Sequence, residues 1–181
     1  FCSGSLFEGN EFGAGKGIVD RMYFGCEETS TAGGGTIWSL DTATGDLWAA
    51  PDLGRGGWEN VTQVDTGTTS HVAFLLGDDG PNGMPLYLYV GEKSTATGAD
   101  FLARNGLKDG QMYVWKANTS GVNSPAEFVS GTRAGTWVPI EVKDPSKAGT
   151  AGYDGLGYKN DTTLRAEADT LGAFSFSRPE D

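Results

Sequence analysis

The sequence is short of histidine, cysteine and positive charge, and each shortage removes a class of function. His71 is the single histidine among 181 residues. It stands in an apolar run that reads as packed strand, so neither a Ser-His-Asp triad nor a multi-histidine zinc site is expected within this chain. Thirteen Lys and Arg face 24 Asp and Glu, a formal charge of −11 with a pI near 4.4. Phosphate backbones and anionic lipid surfaces attract basic proteins, so nucleic acid is not an expected partner. No run approaches the roughly 18 apolar residues of a membrane span, and no membrane insertion is expected. EF-hand spacing, HExxH, GxSxG, GxGxxG and a Walker loop are all missing.

What remains is glycine, aromatics and acid. The chain holds 29 glycines, five Trp, six Tyr and nine Phe, with 38% hydrophobic residues, too apolar a mixture for a disordered tail. It opens on Phe1-Cys2-Ser3-Gly4 with no initiator Met and stops just after a strand-like run. Residues 1–181 therefore read as a fragment of a single domain, incomplete at both ends. The lack of a signal peptide then carries no information on export.

Strand patterns dominate. Apolar and aromatic runs bounded by Gly, Asn, Asp or Pro predict strands at 21–26, 36–40, 46–50, 71–76, 85–90, 111–116 and 136–142. The segment 41–45, Asp-Thr-Ala-Thr-Gly, reads as a hairpin loop. One helix is predicted at 162–171, with Asn160 or Asp161 as its N-cap and Gly172 as its stop. Short strands joined by hairpins suggest a sandwich, a barrel or propeller blades, and the 41–45 hairpin resembles those that close small propeller sheets.

The acidic residues gather where strands run into glycine-rich loops: Glu27 and Glu28, Glu59, Asp78 and Asp79, Glu92, and Glu180 with Asp181. Carboxylates that converge repel unless a cation neutralises them, and oxygen clusters suit calcium, magnesium, manganese or iron. The alternative for any one of them is a solvated turn. Cys2 and Cys26 are the whole cysteine inventory, open to a disulfide, to two inert thiols, or to a thiolate on iron. Sequons at Asn60, Asn118 and Asn160 are compatible with a secreted protein.

Five short motifs in order resemble the PhoX-type alkaline phosphatases and their relatives: Cys2-Ser3-Gly4, Cys26-Glu27-Glu28, Gly54-Arg55-Gly56-Gly57-Trp58-Glu59, Gly77-Asp78-Asp79 and Arg178-Pro179-Glu180. The resemblance implies an all-β fold: a partial β-propeller, about half of a six-bladed one, with one short helix near the C-terminal end. The rest of the propeller would then be a partner in folding. It also implies an exported protein, extracellular or periplasmic, that holds iron and calcium and cleaves phosphate monoesters. Carried over by position, Cys2, Glu28, Glu59, Asp78, Asp79 and Glu180 are the expected metal ligands. Arg178 is the expected grip on substrate phosphate, with Lys93 as a second cation there or a plain surface lysine. Two departures bear on Cys2: an insertion at 7–17, and Asp20-Arg21-Met22-Tyr23 in place of the family's lead-in to Cys26.

The leading expectation is a metal-dependent phosphomonoesterase. The alternatives are a non-catalytic, calcium-stabilised propeller that binds other proteins, and a phytase-like propeller using calcium alone.

Overall fold

Short apolar alternations cut by glycine turns leave strands too brief to stand alone, so they must stack edge to edge. The computed structural model describes residues 3–28, 35–80, 83–177 and 179, and among these nine strands form two antiparallel meanders. The first sheet runs in chain order through β1 (Gly4–Phe7), β2 (Met22–Cys26), β3 (Ile37–Asp41) and β4 (Leu47–Ala49). The second runs through β5 (Trp58–Val64), β6 (His71–Asp78), β7 (Tyr87–Glu92), β8 (Gln111–Ala117) and β9 (Gly135–Ile140). The all-β class holds, with each sheet an antiparallel meander in chain order. The described residues do not close into a barrel or ring.

The expected hairpin is β3–β4. Gly45 takes φ 84° and donates to the Asp41 carbonyl, while the Asp41 carboxylate accepts from the Ala43 amide. Two strands escaped the pattern reading. β1 is short and opens on glycine. In β5 the register slips between Trp58 and Asn60, and the extra residue breaks the period of two. A single helical turn, α1 (Phe101–Arg104), adds to the expected helix, its Asp100 side chain accepting from Ala103 N at 2.7 Å.

One core joins the sheets. Met22, Phe24 and Ile37 of the first pack with Trp58, Val61, Val72, Phe74 and Leu76 of the second. Phe7, Phe24 and Phe74 meet edge-on at centroid distances of 5.4–6.3 Å. Each such pair adds about 0.5–1.5 kcal/mol beyond burial. The second helix, α2 (Asp161–Leu171), covers this core with Leu164 and Ala168, which lie one turn apart on one face. Asn160 caps it, accepting from Thr163 N at 2.9 Å, and Gly172 ends it in the left-handed conformation at φ 78°.

Cys26 is a free thiol at 1% exposure, so the disulfide reading is not realised at this residue; Cys2 lies outside the described residues. Burial disfavours the thiolate and pushes the Cys26 thiol up to about 11 from 9.0. The folded chain thus holds a proton that the unfolded chain gives up, and stability falls as pH rises from about 9 toward 11. Guanidinium unfolding at pH 8 and pH 10.5 should show a steeper loss in the wild type than in Cys26→Ala; parallel losses contradict this. Asn160→Ala should cost about 1 kcal/mol in the same assay, the usual worth of an N-cap, and no change would refute the cap.

Candidate metal centre

Three carboxylates from three strand ends meet. One oxygen from each of Glu28, Glu59 and Asp79 lies within 4.8 Å of the others. Glu28 follows β2, Glu59 is the extra residue of the β5 irregularity, and Asp79 follows β6. The slip in β5 lets consecutive residues take different work: Trp58 is fully buried, and Glu59, half-buried, joins the cluster.

Backbone bonds stitch the three segments around Gly57. Trp58 N donates to Glu27 O at 2.9 Å, and Asp79 N donates to Gly57 O at 2.7 Å. A Cβ on Gly57 would stand 2.7 Å from both the Glu28 and the Asp79 carbonyl oxygens. Only a residue without a side chain permits that approach. Glu27 is spent elsewhere, its carboxylate accepting from Thr36 N at 2.9 Å. The Cys-Glu-Glu motif therefore divides into a core thiol, a loop clasp and a cluster carboxylate.

Asp78 does not join the group. Val72, Phe74, Leu76 and Asp78 alternate onto the inner face of β6, leaving Asp78 only 1% exposed. Its oxygens are taken by Arg165 of α2, with Nε to Oδ2 at 2.8 Å and Nη2 to Oδ1 at 2.6 Å, and by Gly57 N at 2.9 Å. Burial raises its pKa above the ordinary carboxyl range, against the pull of the guanidinium. A bidentate fork of this kind is among the stronger charge-assisted contacts. Of the expected Asp pair, the structure brings Asp79 to the cluster and turns Asp78 to the helix.

Lys93 is also kept apart. His71 pairs with Glu92 at one end of the sheet and Trp58 pairs with Asp78 at the other. Seven strand steps separate the two ends, about 23 Å at 3.3 Å per residue. Lys93 Nζ donates to the carbonyls of Gly15 and Gly17 at 2.6 and 2.8 Å, clamping the glycine-rich loop. Its pKa is lowered by burial. The expected second phosphate grip is thus a loop clamp far from the carboxylates. Cys2, Arg178 and Glu180 lie outside the described residues.

Arg165 and Gly57 are the residues that sequence reasoning passed over. The alternation Val72, Phe74, Leu76 carries Asp78 inward, and that signal alone calls for a buried cationic partner. A cavity of about 360 Å³ is walled by Asn60, Thr62, Leu75, Gly77, Leu86 and Phe176, among others. Asn60 and Gly77 are register partners, adjoining Glu59 and Asp78 in the chain.

The family described as alkaline phosphatase PhoX matches residues 39–181. No curated protein matches the chain. Among solved structures, Pseudomonas fluorescens PhoX in complex with vanadate, a transition state analogue, shares the fold at a TM-score of 0.52 and 20% identity. That alignment covers 81% of this chain and 24% of the other, so the chain spans about a quarter of the length of that protein. With the match extending over most of its residues, the chain belongs to the PhoX alkaline phosphatase family.

Proposed function

We propose that this chain is part of a metal-dependent phosphomonoesterase, one section of a single propeller domain that is exported, and that Glu28, Glu59 and Asp79 hold metal in it. The observation that carries the reading is the convergence of these three carboxylates within 4.8 Å. Three anionic oxygens so close repel one another, and a hard cation removes the repulsion. The donor set fits calcium, and it fits iron where a softer donor joins; Cys2 and Glu180 are the proposed additional ligands. The family membership and the structural neighbour bound to vanadate support a phosphate ester as substrate.

Glu28, Glu59 and Asp79 would hold a cation whose positive charge would be available to phosphoryl oxygens. The chain's own work is positional. The Gly57 junction fixes the spacing of the carboxylates before substrate arrives, which is what makes electrostatic stabilisation effective. Arg178, one residue before Pro179, is proposed to fork onto the phosphate, a geometry that guanidinium suits. The cavity walled by Leu75, Leu86 and Phe176 offers apolar surface to the organic half of an ester. Cations at the centre would reverse the local field that otherwise repels an anionic substrate.

Full-length protein should carry calcium and iron by elemental analysis and should hydrolyse an aryl phosphate. Glu59→Gln should lose metal and reduce turnover at least about a hundredfold, the range expected when a principal electrostatic group is removed. Calcium without iron, stability lost in chelator and no turnover would instead favour the non-catalytic module. Gly57→Ala should weaken metal binding although it touches no ligand side chain, because the Glu28 and Asp79 backbones must part. Unchanged metal content in Gly57→Ala would contradict the proposed geometry.

A further inference from the structure

The Asp78–Arg165 pair is built more carefully than its place at a strand end requires. The two residues lie 87 positions apart, in β6 and α2. Asp78 is essentially buried, and its carboxylate receives three hydrogen bonds, two from the Arg165 fork and one from Gly57 N. The third guanidinium nitrogen, Nη1, is held at 3.0 Å by Asp161, one turn earlier on α2. Arg165 thus enters the site with its direction fixed by its own helix.

Its neighbours connect it to the cluster. Arg165 Nη2 would lie 3.4 Å from a Cβ on Gly57, so the guanidinium rests against that glycine. Gly57 in turn rests against the Glu28 and Asp79 carbonyls and bonds both Asp78 and Asp79. Residues 78 and 79 share one stretch of backbone, held on one side by the Asp78 bonds to Arg165 and Gly57 N and on the other by Asp79 N to Gly57 O. With Asp78 fastened inward, Asp79 is delivered outward toward Glu28 and Glu59.

From this geometry we infer that Arg165 is a positioning residue for the metal centre: by forking onto Asp78 it fixes the Gly57 junction and withholds a fourth carboxylate from the cation. The inference rests on the reading of Glu28, Glu59 and Asp79 as metal ligands. The withholding matters because a cation's affinity and selectivity depend on how many charged oxygens surround it. Without the Arg165 fork, Asp78 keeps only its bond to Gly57 N, and the 78–79 segment loses two of the three hydrogen bonds that fix the Asp78 side chain.

Terbium, a luminescent substitute for calcium, can be titrated into the metal-stripped full-length protein and displaced with calcium. The binding class that Glu59→Gln abolishes is the one to follow. Arg165→Lys keeps the charge but loses the fork, and Asp78→Asn keeps an oxygen for Gly57 N while removing the charge. Both should weaken that class about tenfold or more, the usual effect of residues that orient metal ligands. Both should also change its terbium emission lifetime, which reports bound water and which a loss of stability alone leaves unchanged. Asp161→Asn keeps an oxygen to accept from Nη1 and leaves the fork onto Asp78 in place, so it should shift affinity less than about twofold.

Measurements are made well below each variant's melting temperature in the metal-free state. Affinity within twofold of wild type and an unchanged lifetime in Arg165→Lys and Asp78→Asn overturn the inference, as does an equal loss in Asp161→Asn. If Glu59→Gln abolishes no binding class, the metal centre itself fails. If it does while Arg165→Lys binds normally, only the role of Arg165 fails.

Discussion

The close approach of three chain segments at Gly57 is the constraint on which the site depends. Carbonyls of Glu28 and Asp79 press on a glycine that has no room for a methyl group. That contact ties the end of the first sheet to the second. It holds because each segment is anchored behind it: Cys26 and Phe24 in the shared core, Trp58 packed edge-on against Tyr87 at 5.4 Å, and Asp78 forked to Arg165. The core sets the distances, and the glycine permits the last few ångströms.

From that constraint follows a division of labour between adjacent residues. In three places the chain sets two neighbouring side chains to opposite tasks. Glu27 clasps Thr36 while Glu28 faces the cluster; Trp58 fills the core while Glu59 faces the cluster; Asp78 binds the helix while Asp79 faces the cluster. At Trp58–Glu59 the division comes from the register slip in β5, and at Asp78–Asp79 from the point where β6 ends. The neighbour is buried in two of the three pairs, Trp58 and Asp78, and half-buried in the third, Glu27.

Much of this was legible in the residues. Apolar alternation located most strands, and the Asn160 cap and Gly172 stop bounded the long helix to within a residue. The convergence of strand-end acids was readable because carboxylates recur at those ends. What could not be read was which of two adjacent acids faces in, since that depends on register, and the slip in β5 is invisible without its partner strand. The place of Lys93 was hidden for the same reason: proximity to a strand says nothing about which end of the sheet a residue occupies. Arg165 lies 87 residues from its partner, and no local pattern links the two.

Everything proposed for this site requires that Glu28, Glu59 and Asp79 enclose one cation. Crystals of the full-length protein, measured for anomalous scattering near the iron edge and at longer wavelength for calcium, test it without any assay of activity. An anomalous peak is expected about 2.0–2.6 Å from one oxygen of each carboxylate, the span of metal–oxygen bonds. Full-length protein with its metals bound elsewhere, and water alone among these three side chains, would contradict it.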